Sequence, residues 1–498
     1  MEPYESYIPP KEPKAMFPTG KHELIFALGC LICGMLLINS LYVGGYQLGF
    51  ALGTILSIAL GAGYLLCRGC KAGGYSISIL VLCAVIAGSF ARTDDAFVKF
   101  VMVCFLLVGT NLGFCLLAGK NLCNPSTAES LKDAFYTIFR LGFGKMPIAV
   151  EGLSDSMRNG SSIGRKSGAV LLGLGLCVPV LALLIPLLMR ADAAFEALLD
   201  LAPSISFGEV FATLLFGGFL ALFQYTQGTA LKHHTAAPLA DTVKKGLSPL
   251  TVNTVLWAVC LLYGVYLFSQ LSYFIGGFAG LLPQEYTLAE YARRGFFEMA
   301  LLCAINLGLI ILALSLASPS GRAPLSTRLL CLAVGLATMF FVAAASAKMF
   351  LYIDSYGLTR LRVLTQVIMC FMGLTTVFIC IWLFVPRMPY MKAVVLTALL
   401  IGALVSWTDV DTQVAKYNVD AYLSGKMETV DTAHLSYLGN GAVAHILRLA
   451  NEAHDPAVAQ NAREILQNRW VARHTDLREW NYVNQKAAQI LKDLPKER

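Results

Sequence analysis

Charge is scarce in this chain. Asp, Glu, Lys and Arg make up 14% of its 498 residues, against about a quarter in soluble domains. The scarcity is patterned. Inside the long apolar runs the polar groups are neutral, such as Asn111, Gln224, Asn253, Asn306 and Gln366, while Lys99, Glu209, Glu298 and Lys348 fall near run ends. Ionisable groups at mid-bilayer mark most proton and ion pathways, so their absence weighs against a proton-coupled transporter. No Lys/Arg cluster sits on a solvated domain, which excludes a nucleic-acid footprint. No Walker loop, no G-x-S-x-G and no H-E-x-x-H occurs. His233-His234 lies in a basic loop and reads as a solvated face. Neither cofactor nor metal is expected.

Fourteen cysteines are present, none of them beyond residue 407. That distribution fits a protein without structural disulfides. Two C-x-x-C pairs, Cys30/Cys33 and Cys67/Cys70, lack the polar surroundings of a metal or redox site.

What fills the chain instead is hydrocarbon. Residues A, V, I, L, M, F, W, Y and C reach 57%, gathered into eleven runs at 24–43, 46–66, 75–91, 97–118, 168–189, 208–227, 250–270, 296–316, 328–348, 363–385 and 392–407. About 20 apolar residues at 1.5 Å rise cross a ~30 Å hydrocarbon core, and a lipid-exposed backbone must satisfy its own hydrogen bonds. The fold class expected is therefore all-α, a polytopic transmembrane bundle of about eleven spans with a small helical tail. Small residues at four-residue spacing (Gly49, Gly53, Ser57 and Gly61; Ala169 and Gly173) predict close helix contacts.

The chain divides into a cytoplasmic tail (1–23), four spans (24–118), a cytoplasmic loop (119–167), a seven-span core (168–407) and an extracytoplasmic helical tail (408–498). Sidedness follows the positive-inside bias. With the N-terminus inside, nineteen Lys/Arg of the flanks and connections fall inside and seven outside. The proline-dotted first 23 residues and the long first run predict an uncleaved anchor rather than a signal peptide. Ala134–Phe143 mixes aromatic and apolar residues with Arg140, and reads as an interfacial helix or a loop packed on the inner face. Residues 190–207 predict a short external helix. In the tail, helices are expected over Ala442–Leu449 and Ala459–Trp470. A last helix, capped by Thr475 or Asp476, is expected to run to Leu491.

One face gathers the polar residues that could carry function. Glu290, Arg294 and Glu298 follow at four-residue spacing with Arg293 beside them, a carboxylate–guanidinium ladder at the outer entrance of the eighth span. The next outer turn supplies Asp354, Tyr356, Arg360 and Arg362, and the tail opens with Asp411, Tyr417 and Asn418. Arginine's planar fork suits carboxylate or phosphate, so these residues form a candidate site for an anionic ligand. The alternative is structural: the arginines pair with Glu290, Glu298, Asp354 and Asp411 and tie helices and tail together.

The strings QLSYFIGG, AEYARRGFFE, YGLTRLRV and AKYNVDAYL, with DLREWNYVNQKA in the tail, carry a resemblance. Over about residues 250–425, and more weakly in the tail, the chain resembles an uncharacterised bacterial membrane-protein family. That family is the domain of unknown function numbered 4173, related to 4153. The resemblance implies a bacterial inner-membrane protein and no activity. It favours 286–298 and 352–362 as the signature.

Three functions stay open. The protein binds or translocates an anionic solute or lipid at the outer site. It is an accessory or sensor subunit whose tail binds a membrane-protein partner. Or it is an enzyme on lipid-linked substrates, for which Glu290, Glu298 and Asp354 are the available acids. Besides the lipid bilayer, the partners expected are an anionic small molecule or lipid and a membrane protein.

Overall fold

The computed structural model describes residues 17, 20–159, 180, 184, 187–188, 207–233, 246–278, 296–318, 322–469 and 476–494. Every regular element among them is helical. Among the described residues nine helices are long and apolar enough to cross a membrane: α1 (Lys21–Gly44), α2 (Leu48–Cys67), α4 (Ala96–Leu117), α7 (Gly208–His233), α8 (Pro249–Phe278), α9 (Phe296–Ala317), α10 (Leu325–Tyr356), α11 (Arg360–Phe384) and α12 (Tyr390–Thr408). A tenth, α3 (Gly74–Ser89), is apolar but shorter. The chain is a multi-pass membrane protein. The span expected at 168–189 and the helix expected at 190–207 fall almost entirely outside the described residues, as do Ala169 and Gly173.

These helices are apolar all round, as lipid-facing helices are. Leu250, Leu261 and Phe268 on α8 are more than 70% exposed, a burden in water and none in hydrocarbon. Several expected spans are longer than the apolar run alone showed. Helix α10 continues to Tyr356 and stops where Gly357 takes φ +76°, the left-handed conformation glycine supplies at a helix end.

Packing forms two halves. Helices α1–α4 and α7 make one, α8–α11 the other, and α12 lies between them against α3, α4 and α11. Close approach is built from glycine. A Cβ on Gly34 of α1 would meet the carbonyl oxygen of Gly217 on α7 at 2.5 Å, and one on Gly49 would meet Ser40 Oγ at 2.6 Å. Two of the predicted small residues, Gly49 and Gly53, thus let α2 lie against α1.

Between α4 and α7, α5 (Leu131–Phe135) runs into a π-helical turn, Tyr136–Phe143, and then α6 (Met146–Asn159). Phe135, Phe139 and Phe143 form an exposed stripe, while Asp133, Ala134, Thr137 and Leu141 are buried beneath. The predicted amphipathic segment is therefore helical.

The tail consists of α13 (Val410–Leu423), α14 (Thr432–Tyr437), α15 (Val443–Glu452), α16 (Pro456–Gln467) and α17 (Tyr482–Lys492). Their apolar faces close a core of their own around Val414, Val419, Leu435, Ile446 and Leu449. Asp455 caps α16 with Pro456 at its first turn. The last helix is capped by Asn481. Asp476, expected in that role, caps the short 3-10 turn Leu477–Glu479 instead, because Trp480 interposes an extended residue between the two.

Candidate functional site

The tail is seated on one end of the bundle. At that end Asp95 caps α4, its Oδ1 accepting from Phe97 N at 2.8 Å and Val98 N at 3.0 Å. Its other oxygen lies 2.7 Å from Arg360 Nε, at the start of α11. The Arg360 fork also grips Asp411 in the first turn of α13, Nε to Oδ1 at 2.9 Å and Nη2 to Oδ2 at 2.5 Å. Asp411 accepts a third bond from Gly439 N in the tail at 2.6 Å. Both carboxylates are buried, and the guanidinium is 35% exposed. One arginine therefore joins α4 and α11 to α13, the first helix of the tail, and its bidentate geometry is what lysine lacks.

A second joint lies beside it. Asn481 donates to Gln47 Oε1 at 2.8 Å and to the carbonyls of Thr93 and Phe90. Lys99 donates to the same Gln47 oxygen at 3.3 Å. Backbone bonds add to this, Leu48 N to Trp480 O at 3.2 Å and Tyr482 N to Ala91 O at 2.9 Å. Asn440 bridges Asp94 and Asn484. At the third joint Arg478 bonds Asp476, Asn39 and Glu209, the last at 3.2 Å.

Between these joints is a polar hollow of about 140 Å³. Arg92, Asp409, Asn440, His445, Tyr482 and Lys486 are among its walls. Arg92 lies over the Tyr482 ring, 5.5 Å from its centroid. Burial pushes the Asp409 carboxyl above its usual range, helped by the negative charges of Asp411 and Asp94 and opposed by the Thr412 hydroxyl and Arg92. Burial likewise pushes His445 down, with Lys416, Lys486 and Arg448 acting in the same direction against Asp420, so His445 is neutral at pH 7. The exposed Arg92 and Lys486 have no ion-pair partner within 4 Å among the described residues. The hollow therefore presents two positive charges without ion-pair partners among the described residues and several neutral donors beside the Asp409 carboxyl, a lining that can hold an anion against its cations.

The sequence-derived candidates are distributed as follows. Glu290, Arg293 and Arg294 lie outside the described residues. Glu298 is exposed near the start of α9, within electrostatic reach of Lys348. Asp354 pairs with Lys426 at 2.5 Å, both more than half exposed. Arg362 bonds the carbonyls of Tyr356 and Gly357 that end α10 and lies 4.1 Å over the Tyr352 ring. Tyr356 is 48% exposed and packs on Tyr352. Of the described members of this set, Arg360 alone enters the joint with Asp95 and Asp411. Missed by the sequence reading were Arg92, Asp94, Asp95, Asp409 and Gln47. The signal available for the tail side was the string DLREWNYVNQKA, which contains Arg478, Asn481, Asn484 and Lys486.

No curated protein and no solved structure matches the chain. A family profile does, over residues 75–449, from α3 through most of α15. The matched stretch holds Arg92, Asp95, Arg360, Asp409 and Asp411, so most of the joint belongs to it. It is the relative of the family whose motifs the sequence resembles: the chain belongs to the family described as domain of unknown function (DUF4153).

Proposed function

We propose that the protein binds an anionic group, the phosphate or carboxylate of a lipid headgroup or solute, in the hollow between the bundle and the tail. The observation that carries this reading is the pair of cations, Arg92 and Lys486, left without ion-pair partners in a hollow of headgroup size. The proposal extends to sidedness and membrane: the tail end faces outward from a bacterial inner membrane, as the Lys/Arg bias supports. Arg293 and Arg294, on the segment leading into α9, are proposed to add to the field that draws the anion in. The finer kinship with family 4173 belongs to the same proposal and rests on the motifs at 270–298 and 356–363.

The test is native mass spectrometry of detergent-purified protein titrated with anionic and zwitterionic phospholipid and with inorganic phosphate. Wild type is compared with Arg92→Ala/Lys486→Ala and with Arg294→Ala. Loss of the anionic lipid alone in the double variant names a headgroup, and loss of phosphate as well names a solute-type site. Loss only in Arg294→Ala moves the site to the ladder before α9. Equal binding in all three folded proteins overturns the reading.

A second reading has one observation in its favour. Tyr437 is 84% exposed at the end of α14, beside a groove of about 420 Å³ between α14 and α16. A membrane-protein partner docking there predicts crosslinks from Tyr437 that vanish in Tyr437→Ala.

A further inference from the structure

At bilayer depth, α1, α2, α4 and α7 enclose a cavity of about 270 Å³. It shares no residue with the junction hollow. Its walls are mostly aliphatic and aromatic, Phe26, Ile58, Leu106 and Phe114 among them. Into this apolar space project neutral polar groups from three helices: Thr54 and Ser57 of α2, Asn111 of α4, and Gln224 and Gln227 of α7. Each sits at least six residues inside its helix, ~9 Å from the helix end at 1.5 Å per residue. No charged residue lines the cavity among the described residues.

The polar groups are only partly paired. Gln227 donates to Asn111, Asn111 to the Leu107 carbonyl, and Gln224 Nε2 to Ser57 Oγ at 3.3 Å. Gln224 Oε1 and Thr54 Oγ1 are buried with no partner among the described residues. An unmade hydrogen bond is costly where lipid is the solvent. A carbonyl oxygen can only accept, so whatever completes Gln224 must bring an O–H or N–H. An ionised headgroup has no counter-charge here, which leaves an uncharged donor on an apolar body. Leu107, in the cavity wall on α4, is 54% exposed, so a lipid-exposed side chain forms part of that wall.

We infer that this cavity is a lateral binding site for a single-chain, uncharged lipid bearing a terminal hydroxyl. The hydroxyl donates to Gln224 Oε1 and shares a bond with Thr54, while the chain lies against Phe26, Ile58 and Phe114. The volume holds part of one chain, about nine water volumes, and not a two-chain phospholipid.

The full chain in nanodiscs is irradiated with a diazirine-bearing long-chain alcohol and the adducts are mapped by peptide mass spectrometry. Adducts on the cavity-facing residues of α2, α4 and α7 are expected, displaced by hexadecan-1-ol. One hydrogen bond corresponds to about fivefold in affinity, so hexadecane should compete about fivefold less well, and Gln224→Leu should weaken labelling by a similar factor. Thr54→Val is isosteric and removes a buried unpaired hydroxyl, so it reports on folded protein even if Gln224→Leu does not fold. It should weaken labelling without lowering the melting temperature. Adducts confined to lipid-facing residues such as Leu250 and Phe268, equal competition by hexadecane, or unchanged labelling in both variants overturns the inference; a cavity filled only by water gives the first of these results.

Discussion

Asp409 is the one non-glycine residue with positive φ among the described residues, at φ 51° and ψ 87°. It turns the chain from α12 into α13. Asp and Asn tolerate that region, and β-branched residues do not. Asp409→Asn should therefore keep the turn, and Asp409→Val should lower the melting temperature by several degrees in thermal unfolding. The pH dependence has a definite sign. A carboxyl raised above its unfolded value of about 3.9 is protonated more readily in the folded protein. Its contribution is fully present below that value and is lost as pH rises through the raised folded value. Asp409→Asn should flatten this decline above about pH 4, and an unchanged slope would sink the assignment. Arg360 makes the complementary case. Arg360→Ala leaves Asp95 and Asp411 buried without their cation, a loss on the order of 3 kcal/mol that denaturant melts would register. Arg360→Lys should recover only part of it, because an ammonium cannot span both carboxylates with one planar fork.

At the scale of elements, the 3-10 turn Leu477–Glu479 is one of the contacts that seat the tail. It fits because Gly44 and Gly49 leave room for it. A Cβ on Gly44 would meet the Arg478 carbonyl oxygen at 2.8 Å and Glu479 Cα at 3.1 Å. Both are backbone atoms that cannot swing aside. Gly44→Val should lift the turn and speed tryptic cleavage at Arg478, read by limited proteolysis, with the spans left intact. This contact shows where the sequence was legible and where it was not. Helix periodicity placed α15 and α16, since one apolar face per helix is a local pattern. Gly49 was legible as a place of close approach, and Gly44 was not, since it stands outside the four-residue spacing of small residues. That the approaching backbone belongs to residue 478 was not, because nothing local encodes a partner hundreds of residues away. Arg360 was legible as a fork seeking carboxylates, and Asp411 among its partners. Asp95 was hidden because its first role, capping α4, already explains an aspartate there.

The molecule as a whole alternates as its hydropathy dictates. The tail, the 44–47 turn, Asp95, Arg360 and Glu209 meet at one end. Glu23, Arg68, Lys232 and His233 meet at the other, with Glu23 3.1 Å from Arg68 Nε. Spans were readable because twenty apolar residues have few alternatives in lipid. The division into two halves about α12 was not, since helix neighbours in a membrane are chosen by shape and not by hydrophobicity. The proposed sidedness predicts that an impermeant protease removes the tail from spheroplasts and spares it in inverted vesicles; the reverse result inverts the topology. The Arg360 clamp also has a consequence for biosynthesis. Asp95 leaves the ribosome long before residue 360, and Asp411 and Gly439 follow later still. For most of synthesis a carboxylate destined for burial waits at the membrane surface without its cation. The bundle cannot lock until the tail has folded back onto it, so a ribosome stalled near residue 407 should yield a chain that inserts fully and is then cleared by membrane proteases as unfinished.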